Sequence, residues 1–96
     1  MKVFVSDKAN WDLLRIYSYF EQRSPTAAES ILRRIDEKFD PLAALPFIGR
    51  QRPSLAPGLR SVVVGNHLIF YLVSRDSITI VRVIDGRMDI DEEFRR

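Results

Sequence analysis

The chain has 96 residues, 46% hydrophobic and 10% aromatic, with a formal net charge of +2 at pH 7. That balance suits one folded domain spanning residues 1–96 and excludes a disordered chain. With no cysteine in it, the chain has neither disulfides nor thiolate chemistry, which fits a reducing cytoplasm.

The N-terminus, Met1-Lys2-Val3-Phe4-Val5-Ser6-Asp7, meets charge too early for a signal peptide. No apolar run approaches the roughly 20 residues of a membrane helix. A soluble, cytoplasmic protein with no membrane partner is therefore expected. Lys2–Val5 is β-branched and aromatic, the composition of a first strand. Ser6 or Asp7 can cap the helix that follows, because a side-chain oxygen there accepts from exposed first-turn amides. Ala9, Leu13, Ile16, Tyr17 and Phe20 form one stripe at helical spacing. Trp11 and Leu14 lie off that stripe, either at the edge of the core or as a patch for a partner.

Ser24-Pro25 reads as a second helix start, a capping serine followed by proline where a missing N–H costs nothing. Ala28, Ile31, Leu32, Ile35, Phe39 and Leu42 continue at helical spacing, so two antiparallel helices are expected. Pro41 predicts a kink or a fresh short helix capped by Asp40 and ending near Leu45. Pro46 and Gly49 close this helical half. From Leu59 the period changes to two: Leu59–Val64, His67–Ser74 and Ser77–Asp85 read as a three-stranded meander. Gly65-Asn66 suits a two-residue hairpin, since both tolerate positive φ, and Arg75-Asp76 serves the next turn. With Lys2–Val5 added, the sheet would have four strands and the helix hairpin would cover one face.

Alternation places Leu68, Phe70 and Leu72 on one face of the middle strand and Ile69, Tyr71 and Val73 on the other. The last strand puts Ile78, Ile80, Arg82 and Ile84 on one side, with Thr79, Val81 and Val83 opposite. A sheet that is apolar on both faces needs a second cover. The tail Ile90–Phe94, a second copy or another chain could supply it.

Between Pro46 and Arg87, six arginines face two aspartates, a net charge of +4, and then the tail turns acidic with Asp89, Asp91, Glu92 and Glu93. Arginine makes forked contacts to carboxylates and phosphates, which points to gripping a large partner. The lone His67 follows a turn at a strand start, where a surface or rim histidine is expected, and no nucleophile stands beside it in the sequence. No spacing suggests a metal site, and no Gly-rich phosphate loop or cofactor motif is present. One catalytic arrangement remains conceivable: Arg60, Arg82 and Arg87 converging at one end of the sheet as a metal-independent ribonuclease. Asp85 and Asp89 would titrate too low to serve as its base.

The order and spacing of several motifs resemble the ParE branch of the RelE/ParE toxin superfamily, the toxins of type II toxin–antitoxin pairs. They are Ser6-x-x-Ala9-x-x-Asp12-Leu13-x-x-Ile16-x-x-Tyr19, Pro25-x-Ala27-Ala28, Leu45-Pro46-x-Ile48-Gly49-Arg50 and Pro57-Gly58-Leu59-Arg60. Phe70-Tyr71 and Ile80-x-Arg82-Val83-Ile84-Asp85-Gly86-Arg87-x-Asp89 complete the set. The resemblance implies an α+β fold of order β-α-α-β-β-β, with an N-terminal helix hairpin packed on a small antiparallel sheet. It implies a growth-inhibiting toxin that blocks DNA gyrase by binding and is neutralised by a ParD-like antitoxin in a hetero-oligomer. Specific DNA contact by this chain itself is not expected. The alternative is the RelE-like activity, ribosome-dependent cleavage of mRNA. Arg87-Met88-Asp89-Ile90 lacks the tyrosine or histidine usual near the C-terminus of that branch, which disfavours it. Antitoxin contact is expected at Trp11, Leu14, Arg50, Arg60 and Arg82, and target contact at Arg60, Arg82, Arg87 and Asp89.

Overall fold

Strand-like and helix-like patterns become strands and helices along the whole chain, which the computed structural model describes from Met1 to Arg96. The elements are β1 (Lys2–Val5), α1 (Asp7–Glu21), α2 (Pro25–Glu37), α3 (Phe39–Ala44), β2 (Arg50–Gln51), β3 (Arg60–Val64), β4 (His67–Val73), β5 (Ser77–Asp85) and α4 (Ile90–Arg95). No helix is long and apolar enough to cross a membrane.

Both long helices start as their capping residues dictate. Ser6 Oγ accepts from the Ala9 amide at 3.0 Å, and Ser24 Oγ accepts from the Ala27 amide at 3.2 Å. The two helices pack on each other as a hairpin. At α3 the expected cap is corrected. Lys38 precedes the helix without a side-chain cap, and Asp40 lies inside the first turn. There its carboxylate favours the positive end of the helix, and Pro41 gives up only an amide that has no partner in a first turn.

The sheet has five strands in the order β1-β5-β4-β3-β2. β2 to β5 pair antiparallel, while β1 joins β5 in parallel, from Lys2↔Ser77 to Val5↔Ile80. The direction follows from connectivity, because the helical layer lies between β1 and the meander. At the β3–β4 hairpin only Gly65 has positive φ, 60°, which is the II′ pattern; Asn66 does not use its tolerance.

Each face of the sheet has its own cover. The helices pack Ala9, Ile35 and Leu42 onto Ile69, Tyr71, Ile78 and Ile80. On the other face Leu59, Phe70 and Ile84 lie beneath Leu55, Ile90 and Phe94. The tail is thus the second cover, with Phe94 edge-on to Phe70 at 4.7 Å between centroids.

The simple alternation of β5 is corrected by a bulge. Tyr71 pairs with Ile80 but Phe70 pairs with Arg82, leaving Val81 as an extra residue. Beyond it the faces exchange: Val83 joins the helix-side core, while Val81 and Ile84 turn toward α4.

Candidate protein-binding groove

Because β1 stops opposite Ile80, the following part of β5 has an open edge, and α1 closes it with side chains. Ser6 donates its amide to Ile80 O at 2.9 Å and its hydroxyl to Val81 O at 3.1 Å. Asp12 Oδ2 then accepts from the Val83 amide at 2.9 Å and from Arg82 Nε at 2.8 Å, and Oδ1 accepts from Arg82 Nη2 at 3.0 Å. Arg82 Nη1 donates to the Glu93 carbonyl at 2.6 Å, and Phe94 lies over the guanidinium at 5.7 Å. The Glu93 carboxylate stands 3.9 Å from Arg82 Nη2 and from Arg15 Nη1. This network ties α1, β5 and α4 together. The hydrogen bonds that Arg82 donates to Asp12 raise the Arg82 pKa.

Outside that network, α1, the end of β5 and the turn after it enclose a groove of about 530 Å³. Its floor includes Asp12, Ile16, Phe20, His67 and Val83. Trp11, Leu14, Tyr19 and Met88 line it and are exposed by 67, 59, 52 and 42%, so the sequence's open choice at Trp11 and Leu14 resolves to a surface patch rather than core edge. Arg15 and Arg87 contribute cations to it. A groove with exposed aromatic and aliphatic walls and arginine on its rim has the composition of a protein-binding site.

Asp85, which ends β5, and His67, which starts β4 opposite it, are both perturbed. Asp85 accepts from Arg87 through the amide, Nε and Nη2 at 2.9, 3.0 and 2.7 Å, and this holds its carboxyl at about 2. It is therefore a carboxylate over the whole working range and unsuited to base catalysis, as the sequence implied. His67 is a correction, because it is buried rather than on the rim, with the Phe20 ring edge-on at 6.3 Å. Burial lowers its pKa from 6.5, Asp85 opposes that, and Arg87 adds to it. A histidine harder to protonate when folded leaves the unfolded chain binding more protons below about 6.5. Stability is therefore expected to fall as pH drops from about 7 through that value, and His67→Gln should flatten the slope. Urea unfolding at closely spaced pH values measures it, and equal slopes in the two proteins would refute the assignment.

The three arginines proposed for catalysis do not converge. Arg82 is buried, 5% exposed, and belongs to neither rim nor partner surface, because the bulge turns it toward Asp12 and α4. Arg60 pairs across from Tyr71, at the opposite end of the sheet from His67↔Asp85 and Arg87. Its Nη1 donates to Phe47 O at 3.0 Å and Gly49 O at 2.8 Å. Arg50 is exposed on β2, at the sheet edge away from the groove. Asp89 caps α4, its Oδ1 accepting from the Glu92 amide at 3.2 Å. Of the expected contact residues, the groove thus unites Trp11, Leu14 and Arg87. It adds Arg15, Tyr19 and Met88, which pattern reading passed over. The signal for the network was present as well: Asp12, at i+3 from Ala9 and i−4 from Ile16, is a carboxylate on a buried helix face.

The family model described as ParE toxin of type II toxin-antitoxin system, parDE, matches residues 3–90. The chain belongs to the ParE toxin family. It is 35% identical over 80 residues to Toxin ParE3 of Caulobacter vibrioides, covering 82% of this chain and 80% of that one. Toxin ParE1 of Mycobacterium tuberculosis is 42% identical over 68 residues, covering 70 and 69%. Among solved structures, the chromosomal ParDE system from P. aeruginosa superposes with a TM-score of 0.77 at 27% identity, covering 88% of this chain and 95% of that one. The heterotetrameric YoeB–YefM toxin–antitoxin complex from Staphylococcus aureus shares the fold, with a TM-score of 0.55 at 24% identity over 85 and 92% of the chains.

Proposed function

We propose that this chain is a cytoplasmic toxin that arrests growth by binding DNA gyrase, and that an antitoxin seated in the α1–β5 groove holds it silent. The observation that carries the antitoxin half is the groove itself, with Trp11 and Leu14 exposed over a floor that includes Ile16, Phe20 and Val83. An apolar antitoxin segment fits that chemistry, since the groove's arginines already face carboxylates, Arg87 at 2.7 Å from Asp85 and Arg15 at 3.9 Å from Glu93. The P. aeruginosa neighbour is described as a ParDE toxin–antitoxin system, which supports a ParD-like partner here. The gyrase half rests on ParE family membership. The separation of Arg60 from Arg87 and the burial of Arg82 weigh against the ribonuclease alternative.

Inducing the chain without antitoxin, with pulse-labelling of DNA and protein synthesis over the first minutes, tests the target. Early loss of DNA synthesis is expected; early loss of translation would transfer the assignment to the ribosome. For the groove, the double variant Trp11→Ala/Leu14→Ala is expected to bind antitoxin at least about tenfold more weakly, since buried aromatic anchors dominate such interfaces. Both side chains are solvent-exposed, so stability should change by only about 0.5 kcal/mol. Calorimetric titration of the purified pair decides it, and unchanged affinity would remove the groove from the antitoxin site.

A further inference from the structure

At the end of the sheet remote from the groove, the turn between α3 and β2 displays Leu45, Phe47 and Ile48, exposed by 62, 64 and 54%. The backbone beneath them is held from inside. Tyr71, fully buried, donates its hydroxyl to Pro46 O at 2.7 Å and accepts from the Gly49 amide at 2.9 Å. Arg60 binds the Phe47 and Gly49 carbonyls from the other side and lies 5.2 Å from the Phe47 ring centroid. Four hydrogen bonds thus fix a turn whose apolar side chains point at solvent. A rigid display of this kind reduces the ordering cost of association.

Charge narrows the occupant. Residues 45–60 include Arg50, Arg52 and Arg60 and no acidic residue, and none of the three has a carboxylate within salt-bridge range. Arg52 uses Nε on Ser61 Oγ, leaving the rest of its fork free. We infer that this knuckle is a second protein-docking surface, which takes an acidic, apolar surface of the cellular target while the groove takes the antitoxin. Leu45 and Ile48 favour protein over nucleic acid, because aliphatic side chains offer bases no stacking face. Knuckle and groove share no residue.

The target half rests on the gyrase reading, and the test separates the two. Growth arrest, inhibition of purified gyrase and antitoxin affinity are measured for the wild type, Phe47→Ser/Ile48→Ser and Arg50→Glu. Arg50→Glu leaves the turn's hydrogen bonds in place, so it guards against misfolding. Both variants are expected to lose growth arrest by at least about a hundredfold in surviving colonies, with antitoxin affinity within about threefold of wild type. A photo-crosslinking residue at position 47 should then join purified gyrase, with no adduct to antitoxin, DNA or a second toxin. Full arrest by both variants, or an adduct only to one of those three, overturns the knuckle. A wild type that arrests growth without inhibiting gyrase overturns the gyrase reading alone. The knuckle is then judged on growth arrest and antitoxin affinity.

Discussion

Asp12→Ala is expected to cost about 3–5 kcal/mol, because it strands the buried Arg82 guanidinium and leaves the Val83 amide without its acceptor. A domain of this size has roughly 5–15 kcal/mol in total, so the variant should melt at least about 12 °C lower or fail to fold at 37 °C. The damage should be directional. Arg82 also holds the Glu93 carbonyl, so its release loosens α4 and uncovers Phe70 and Ile84. Hydrogen exchange is expected to show amides of α4 and the distal half of β5 exposed ahead of those in α2. Asp12→Asn keeps an acceptor for Val83 while weakening the ion pair, so it should fall between alanine and wild type. A double-mutant cycle with Arg82→Met isolates the pair, because a partnerless buried charge is costly whereas removing both is cheaper. A melting temperature within about 3 °C of wild type for Asp12→Ala would mean the network does not hold α4.

Gly49→Ala should destabilise by about 3 kcal/mol although the glycine has no positive φ. The reason is space: an added Cβ would lie 2.8 and 2.9 Å from Tyr71 Cε1 and Cζ, and closer still to the hydroxyl oxygen. Tyr71 is fully buried in the helix-side core and has no room to retreat. Moving it sacrifices the hydrogen bonds to Pro46 O and from the Gly49 amide. Tyr71→Phe alone should cost about 1–3 kcal/mol by orphaning that amide. In the double variant the closest clash disappears with the hydroxyl, so its cost should be less than the sum of the two single costs. Chemical denaturation of the four proteins measures this, and strict additivity would show that the hydroxyl is not what fills the space at Gly49.

These residues also mark where pattern reading succeeds and where it stops. Ser6 and Ser24 carry their helix starts in their own chemistry, and the capping bonds form as local sequence implies. The meander was legible for the same reason, since period-two runs separated by Gly65-Asn66 and Arg75-Asp76 constrain only near neighbours. Alternation puts Arg82 on one face with Ile78, Ile80 and Ile84 because it assumes an unbroken strand, and one extra residue at Val81 re-aims everything beyond it. Arg60, Arg82 and Arg87 read as one cluster only while register is unknown, since Arg60 opens one strand run, Arg82 lies inside another and Arg87 follows it. Register puts the first and last at opposite ends and buries the second.

From the sequence by itself came the family, the helix hairpin, four of the five strands and the two-sided hydrophobicity that demanded a second cover. All of these depend on local propensity and on the spacing of apolar residues, which the chain states directly. Only the tertiary structure decided that α4 is that cover, that Asp12 closes the edge β1 leaves open, and that the groove and the knuckle lie at opposite ends. Those outcomes turn on strand register, a single bulge and contacts between residues up to 75 positions apart, distances over which no local pattern carries information.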